Sequence, residues 1–122
     1  MLNTEKETAV LAQKKCLPCE GIGAAFTKEQ AQNYLTKIVN WSISADGKEI
    51  TRELVMKNFL AAVSFIQQVA KIAEEENHHP DVHLTGYRKL RVVLSTHALN
   101  GLTENDFILA AKINLLPAEL KK

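Results

Sequence analysis

Apolar and polar positions change period repeatedly between Thr27 and Pro117, and each change marks an element. Ala31, Tyr34, Leu35 and Ile38 recur at helical spacing. Thr27-Lys28-Glu29-Gln30 before them has the capping-box form, a hydroxyl N-cap with a glutamine three positions on that reaches back to the cap amide. The spacing predicts a helix from about Lys28 to Val39. Trp41-Ser42-Ile43-Ser44 then alternates with period two, Asp46-Gly47 is a hairpin signal, and Lys48 to Arg52 resumes with β-branched residues. Two antiparallel strands are expected there. From about Lys57 the helical period returns, with Phe59, Val63, Ile66, Ala70 and Ala73 on one stripe and Leu60, Val69 and Ile72 widening it.

Pro80 limits that long helix, because proline disfavours the α conformation in the residue before it and has no N–H for the ladder. Asp81 to Thr85 reads as a short strand, Gly86-Tyr87-Arg88 as its turn, and Lys89 to Thr96 as a clearer strand with Leu90, Val92 and Leu94 on one face. After Asn100-Gly101, Thr103-Glu104-Asn105-Asp106 opens a last helix, with acidic groups where the dipole favours them, and Pro117 ends the order. The sum is α-β-β-α-β-β-α. A four-stranded antiparallel sheet with three helices on one face would bury every apolar stripe, so the predicted class is α+β. Residues 1–26, with glycines at 21 and 23, read as an N-terminal extension without long regular structure; 27–117 form a single domain and 118–122 a C-terminal tail.

Composition narrows the partners. Fifteen basic residues against 14 acidic ones leave a net charge of +1, which provides no electrostatic footprint for nucleic acid or an anionic membrane. The first residues lack the profile of a secretory signal, and no apolar run nears the roughly 18 residues that span a bilayer. A soluble cytoplasmic protein acting on a small molecule or another protein is expected. Cys16-Leu17-Pro18-Cys19 is open to three readings, half a zinc site, a redox dithiol or a loop. The loop is preferred, since there is no second cysteine pair and no strand precedes the motif.

The chemistry concentrates at Glu74 to His97, where all four histidines lie: His78, His79, His83 and His97. Glu74 and His78, four apart on a helix, would stand about 6 Å apart at their β-carbons, so the carboxylate could orient or charge that imidazole. Histidine titrates near neutrality, and two differently tuned rings can form an acid-base pair. A metal is the rival. His79 and His83 have helical zinc-site spacing, but Pro80 forbids the helix, and on a strand they would be ~13 Å apart. His78, His79 and His97 could still converge by folding. His83 reads as a hydrogen-bonded structural residue, and Asp106 is divided between helix capping and the site.

Taken together, Glu74, then His78-His79-Pro80, Tyr87 after six intervening residues, His97 after nine more and Asp106 after eight more resemble the signature of the pterin-4a-carbinolamine dehydratases. Ser95-Thr96-His97 and Gly101-Leu102-Thr103-Glu104-Asn105-Asp106 add to it, and the similarity runs over about residues 27–115. The resemblance implies a hydro-lyase that converts 4a-hydroxytetrahydrobiopterin, or a related 4a-hydroxytetrahydropterin, to the quinonoid dihydropterin in tetrahydrobiopterin recycling, without metal or cofactor. His78 and His97 would move the protons and His79 would orient the pterin or share in the transfer. Glu74 would tune His78, Asp106 would support the pocket by orienting an imidazole, and Pro80 and Tyr87 would shape it, Tyr87 as a packed wall. It also implies homodimers joined edge to edge through their sheets, with tetramers formed by the long helices. The alternative it carries is a non-catalytic binding, assembly or coactivator protein on the same fold.

Overall fold

The period-two segments pair into one antiparallel sheet in the computed structural model, which describes residues 4–122, the side chains of Thr4, Cys19 and Glu20 excepted. Strands β1 (Ser42–Ile43), β2 (Ile50–Val55), β3 (Asp81–Thr85) and β4 (Lys89–Leu94) lie in the order β1-β2-β4-β3. The two hairpins therefore join through their second strands. Ile50 faces Leu94 and Leu54 faces Leu90 across that seam, and these side chains are buried with Val92. The alternate positions Glu53, Lys89 and Arg91 are exposed. One face is thus packed and the other open, as expected of an antiparallel sheet.

Helices α1 (Thr4–Ala12), α2 (Cys19–Ile22), α3 (Lys28–Leu35), α4 (Phe59–Glu76) and α5 (Glu104–Asn114) complete the α+β fold. The capping box of α3 forms as its sequence predicts, with Gln30 N–H donating to Thr27 Oγ1 at 3.2 Å and Thr27 N–H to Gln30 Oε1 at 2.8 Å. That helix stops at Leu35, short of Val39, in turns that lead to Asn40, whose positive φ of 70° swings the chain towards β1. α5 is the central helix; eight of its eleven residues are buried, and it touches α1, α3 and α4.

Three expectations are refined. The N-terminal extension carries two short helices and packs on the domain: α1 packs on α5, Leu11 joins the core, and Thr8 Oγ1 donates to the carbonyl of Lys37 at 2.7 Å. Tertiary burial, which local composition does not report, makes this short helix. The buried stripe of α4 is Ala61, Ala62, Phe65, Val69 and Ala73, while Phe59 and Leu60 are 56% and 77% exposed. α4 is apolar around most of its circumference, so its pattern could not say which face would meet the sheet. Residues after Pro117 also have a place, since Lys57 N–H donates to Glu119 O and Lys121 N–H to Val55 O beside the end of β2.

Candidate active site

The end of α4 places the first two histidines. Asn77 adopts the left-handed conformation (φ 51°, ψ 41°), and its N–H caps the carbonyls of Ala73 and Glu74. A residue with a short polar side chain tolerates this geometry. Helical spacing therefore fails beyond Glu76, and the two rings that follow point to different partners. His78 turns inward and is 8% exposed. Its Nε2 lies 2.6 Å from Oδ1 of Asp106, a fully buried carboxylate on α5. An ionised carboxylate only accepts, so Nε2–H donates.

Asp106 both caps and supports, the two roles between which its sequence position was divided. Oδ2 accepts from the backbone N–H of Thr103 at 3.0 Å and from Thr96 Oγ1 at 2.8 Å, while Oδ1 is left for His78. Thr96 Oγ1 also lies 2.9 Å from Thr103 Oγ1, which accepts from Asn105 N–H at 3.2 Å. Each hydroxyl has one proton, which fixes the direction of the chain: Asn105 N–H to Thr103, Thr103 to Thr96, Thr96 to Asp106. Thr96 and Thr103 were not singled out from the sequence. Both nevertheless stand in the flanking motifs, Thr96 directly before His97 and Thr103 at the N-cap of α5.

His79 turns outward. Its Nε2–H donates to Glu74 Oε2 at 2.5 Å, with both side chains more than half exposed. This corrects the expected pairing of Glu74 with His78, which assumed one more helical residue than Asn77 permits. Glu74, His79, Pro80 and Val82 line an open cavity of about 240 Å³ whose floor is the apolar side of α4 at Ile66 and Ala73. A planar heterocycle would find there an apolar wall and an imidazole–carboxylate pair at its rim.

His97 begins a 3-10 turn, His97–Leu99, after Ser95 and Thr96 lead out of β4, and its ring is exposed with no side-chain partner among the described residues. One carboxylate thus ties His78 to the residue preceding His97. Tyr87 is not brought in. It sits in the β3–β4 turn at φ 55°, 56% exposed, at the end of the hairpin away from Pro80 and roughly 15 Å along the strand. Within one chain it is no packed wall; its ring is covered by the Arg88 guanidinium, 5.3 Å from the centroid. His83 is exposed on the open sheet face and has no side-chain hydrogen bond among the described residues, contrary to the structural role expected of it. It lines, with Glu53, Lys89 and Arg91, a cavity of about 560 Å³ that none of His78, His79 or His97 touches. That cavity is larger, but it lacks an imidazole held by a carboxylate.

Cys16 packs against the core, and burial, followed by the nearby carboxylates of Glu76 and Asp106, pushes its thiol up to about 12. A reactive redox cysteine needs the opposite shift. The Cys19 side chain lies outside the described residues. Among those described, no three His, Cys, Asp or Glu side chains group as metal ligands, and no helix is long and apolar enough to cross a membrane.

The protein is thus of the small α+β class, with two adjacent imidazoles each paired with its own carboxylate. The chain belongs to the pterin 4 alpha carbinolamine dehydratase family, whose model matches residues 24–116. It is 46% identical over 114 residues to pterin-4-alpha-carbinolamine dehydratase 2, mitochondrial, of Arabidopsis thaliana, covering 91% of this chain and 61% of that relative's length. A relative from Legionella pneumophila (strain Corby) is 48% identical over 110 residues, 89% of this chain and 96% of its own. Among solved structures, the transcriptional coactivator/pterin dehydratase of Brucella melitensis superposes with a TM-score of 0.68 at 33% identity, covering 74% of this chain and 95% of that one. A pterin dehydratase-like protein described as a RuBisCO assembly factor shares the fold at 17% identity, with a TM-score of 0.52 over 62% of this chain and 86% of its own.

Proposed function

We propose that this protein dehydrates a 4a-hydroxytetrahydropterin to the quinonoid dihydropterin, as part of tetrahydrobiopterin recycling. The observation that carries the reading is the pair of neighbouring imidazoles, His78 on Asp106 and His79 on Glu74, in a chain of this family. Loss of water from C4a requires a proton delivered to the leaving hydroxyl and the N5 proton removed, so that the N5 electron pair forms the new double bond. A general acid and a general base held over one small ring suffice for that. His78 and His97 are the proton-transfer groups in this reading. Asp106 fixes the tautomer of His78 by taking Nε2–H, so that Nδ1 is the nitrogen that can exchange a proton. His79, oriented by Glu74, and Pro80 hold the pterin against the side of α4. Tyr87 belongs to this site only if a second subunit brings it there.

The test is stopped-flow dehydration of the 4a-carbinolamine by the wild type and by His97→Ala. Acceleration by the wild type and its loss in the variant is the expected result; a wild-type rate no better than buffer overturns the proposal. Self-association is part of the same reading, supported by the uncovered edge of β3 and by exposed Phe59 and Leu60 on α4. Sedimentation at micromolar concentration separates monomer, dimer and tetramer. We assign a cytoplasmic location, although the Arabidopsis relative's name is mitochondrial, and cell fractionation tests it.

A second reading, a non-catalytic binding or coactivator protein, is favoured by the name of the Brucella structure. A pull-down from source lysate that recovers a stoichiometric partner, together with an inactive wild type, would replace the first reading by this one.

A further inference from the structure

The segment between α1 and α2 is gripped at two places by the helix ends that make the buried histidine pair. Asn105, on the first turn of α5, clasps the backbone of Leu17 from both sides: Leu17 N–H donates to Asn105 Oδ1 at 2.8 Å, and Asn105 Nδ2 donates to Leu17 O at 2.7 Å. One residue earlier, Cys16 N–H donates to Glu76 Oε1 at 2.8 Å, and Glu76 is the last residue of α4. Lys15 and Lys112 stand 3.6 and 3.7 Å from the other oxygen of that carboxylate, and Lys112 Nζ also donates to Ala12 O at 2.7 Å. Glu76 lies two residues before His78, and Asn105 directly before Asp106. The strap therefore bridges the two backbone segments that carry the partners of the 2.6 Å contact.

The function just proposed makes no use of this arrangement. Asn105 and Glu76 are 3% and 9% exposed, and a buried amide whose oxygen and nitrogen are both paired with the backbone of one residue is costly to leave unsatisfied. Leu17 itself is 56% exposed, so burial of its side chain does not explain the clasp. What the clasp does hold is the distance between the C-terminus of α4 and the N-terminus of α5. It does so beside the Glu76–Lys112 ion pair and the packed faces of the two helices.

We infer that Asn105 is a positioning residue for the reaction, acting through the strap Lys15–Leu17 and Glu76 to hold His78 and Asp106 at bonding distance. Asn105 does not line the cavity at His79, and its side-chain hydrogen bonds go to Leu17. Its effect reaches the chemistry through the tautomer of His78: with Nε2–H on Asp106, the ring presents Nδ1, and loss of registry lets the proton exchange between the two nitrogens. The inference rests on the proposed dehydration for its kinetic consequence but not for its structural one.

The experiment compares wild type, Asn105→Ala and Asn105→Asp, the last keeping the acceptor for Leu17 N–H while losing the donor to Leu17 O. Long-range proton–nitrogen NMR reads the tautomer of His78 without substrate. The wild type is expected to show the Nε2–H form alone, Asn105→Ala a mixture, and Asn105→Asp an intermediate pattern. In the dehydration assay kcat is expected to fall about 10-fold in Asn105→Ala with KM changed less than about twofold, and Asn105→Asp to recover part of the loss. An unchanged His78 signature in folded Asn105→Ala overturns the inference. Should that variant fail to fold, an unchanged signature in Asn105→Asp overturns it equally. A wild type inactive towards the carbinolamine sinks the proposed function and leaves the NMR comparison decisive for the strap.

Discussion

His78 and Asp106 are 28 residues apart in the chain and 2.6 Å apart in space, one at the end of α4 and the other in the first turn of α5. Asp106 is fully buried and accepts three hydrogen bonds, from His78, Thr96 and Thr103. Asp106→Asn keeps the volume but replaces one acceptor oxygen by an NH2 that must face a donor. The dehydration rate is expected to fall about 100-fold, and the variant to lose roughly 2–4 kcal/mol in urea unfolding. A variant with wild-type kinetics would remove Asp106 from the site.

The histidines divide by position. His83→Ala, on the open sheet face, is expected to leave the rate within about twofold, whereas His97→Ala lowers it about 100-fold. Parallel kinetics on the two variants check this, and equal effects would contradict the assignment.

Glu76 makes stability depend on acidity. Burial alone would raise its carboxyl, but the Cys16 N–H, Lys112 and Lys15 outweigh it and hold the group below its ordinary value. A carboxyl depressed in the folded state contributes stability that is present above its unfolded pKa and disappears as pH falls through the folded value. Glu76→Gln is therefore expected to be less stable than wild type at pH 7, by roughly 1–3 kcal/mol, and the difference to shrink below about pH 4. Urea titrations at the two pH values measure it. A difference independent of pH would refute the charge argument.

Cys16 offers a chemical test of burial. With its thiol pushed up to about 12, almost none is thiolate at pH 8. Iodoacetamide should leave Cys16 unmodified in the native protein and label it readily in urea, as read by peptide mass spectrometry. Rapid native labelling would show that the strap opens.

Much of this molecule was legible along the chain. β3 begins and ends where the period-two pattern predicts, both threonine-capped helices start at their caps, and the strand–helix alternation dictates the α+β class. These are local properties, decided by neighbours within a turn or a pleat. The signature histidines, Glu74 and Asp106 were also legible, through fixed spacings that resemble a family's. Which imidazole each carboxylate meets was not. Glu74 meets His79 because Asn77 breaks the helix one residue before i+4 geometry would reach His78. Asp106 meets His78 because α4 and α5 pack, an association between segments 28 residues apart that no local pattern encodes. The buried face of α4 was undetermined for a related reason: a helix apolar on most sides is oriented by what it packs against. Local composition showed only weak helical character in the N-terminal extension, where α1 forms because α5 offers it a surface. The sequence by itself determined the elements and the set of chemical groups; the tertiary structure alone decided which carboxylate each imidazole faces, because that depends on how helix ends meet in space.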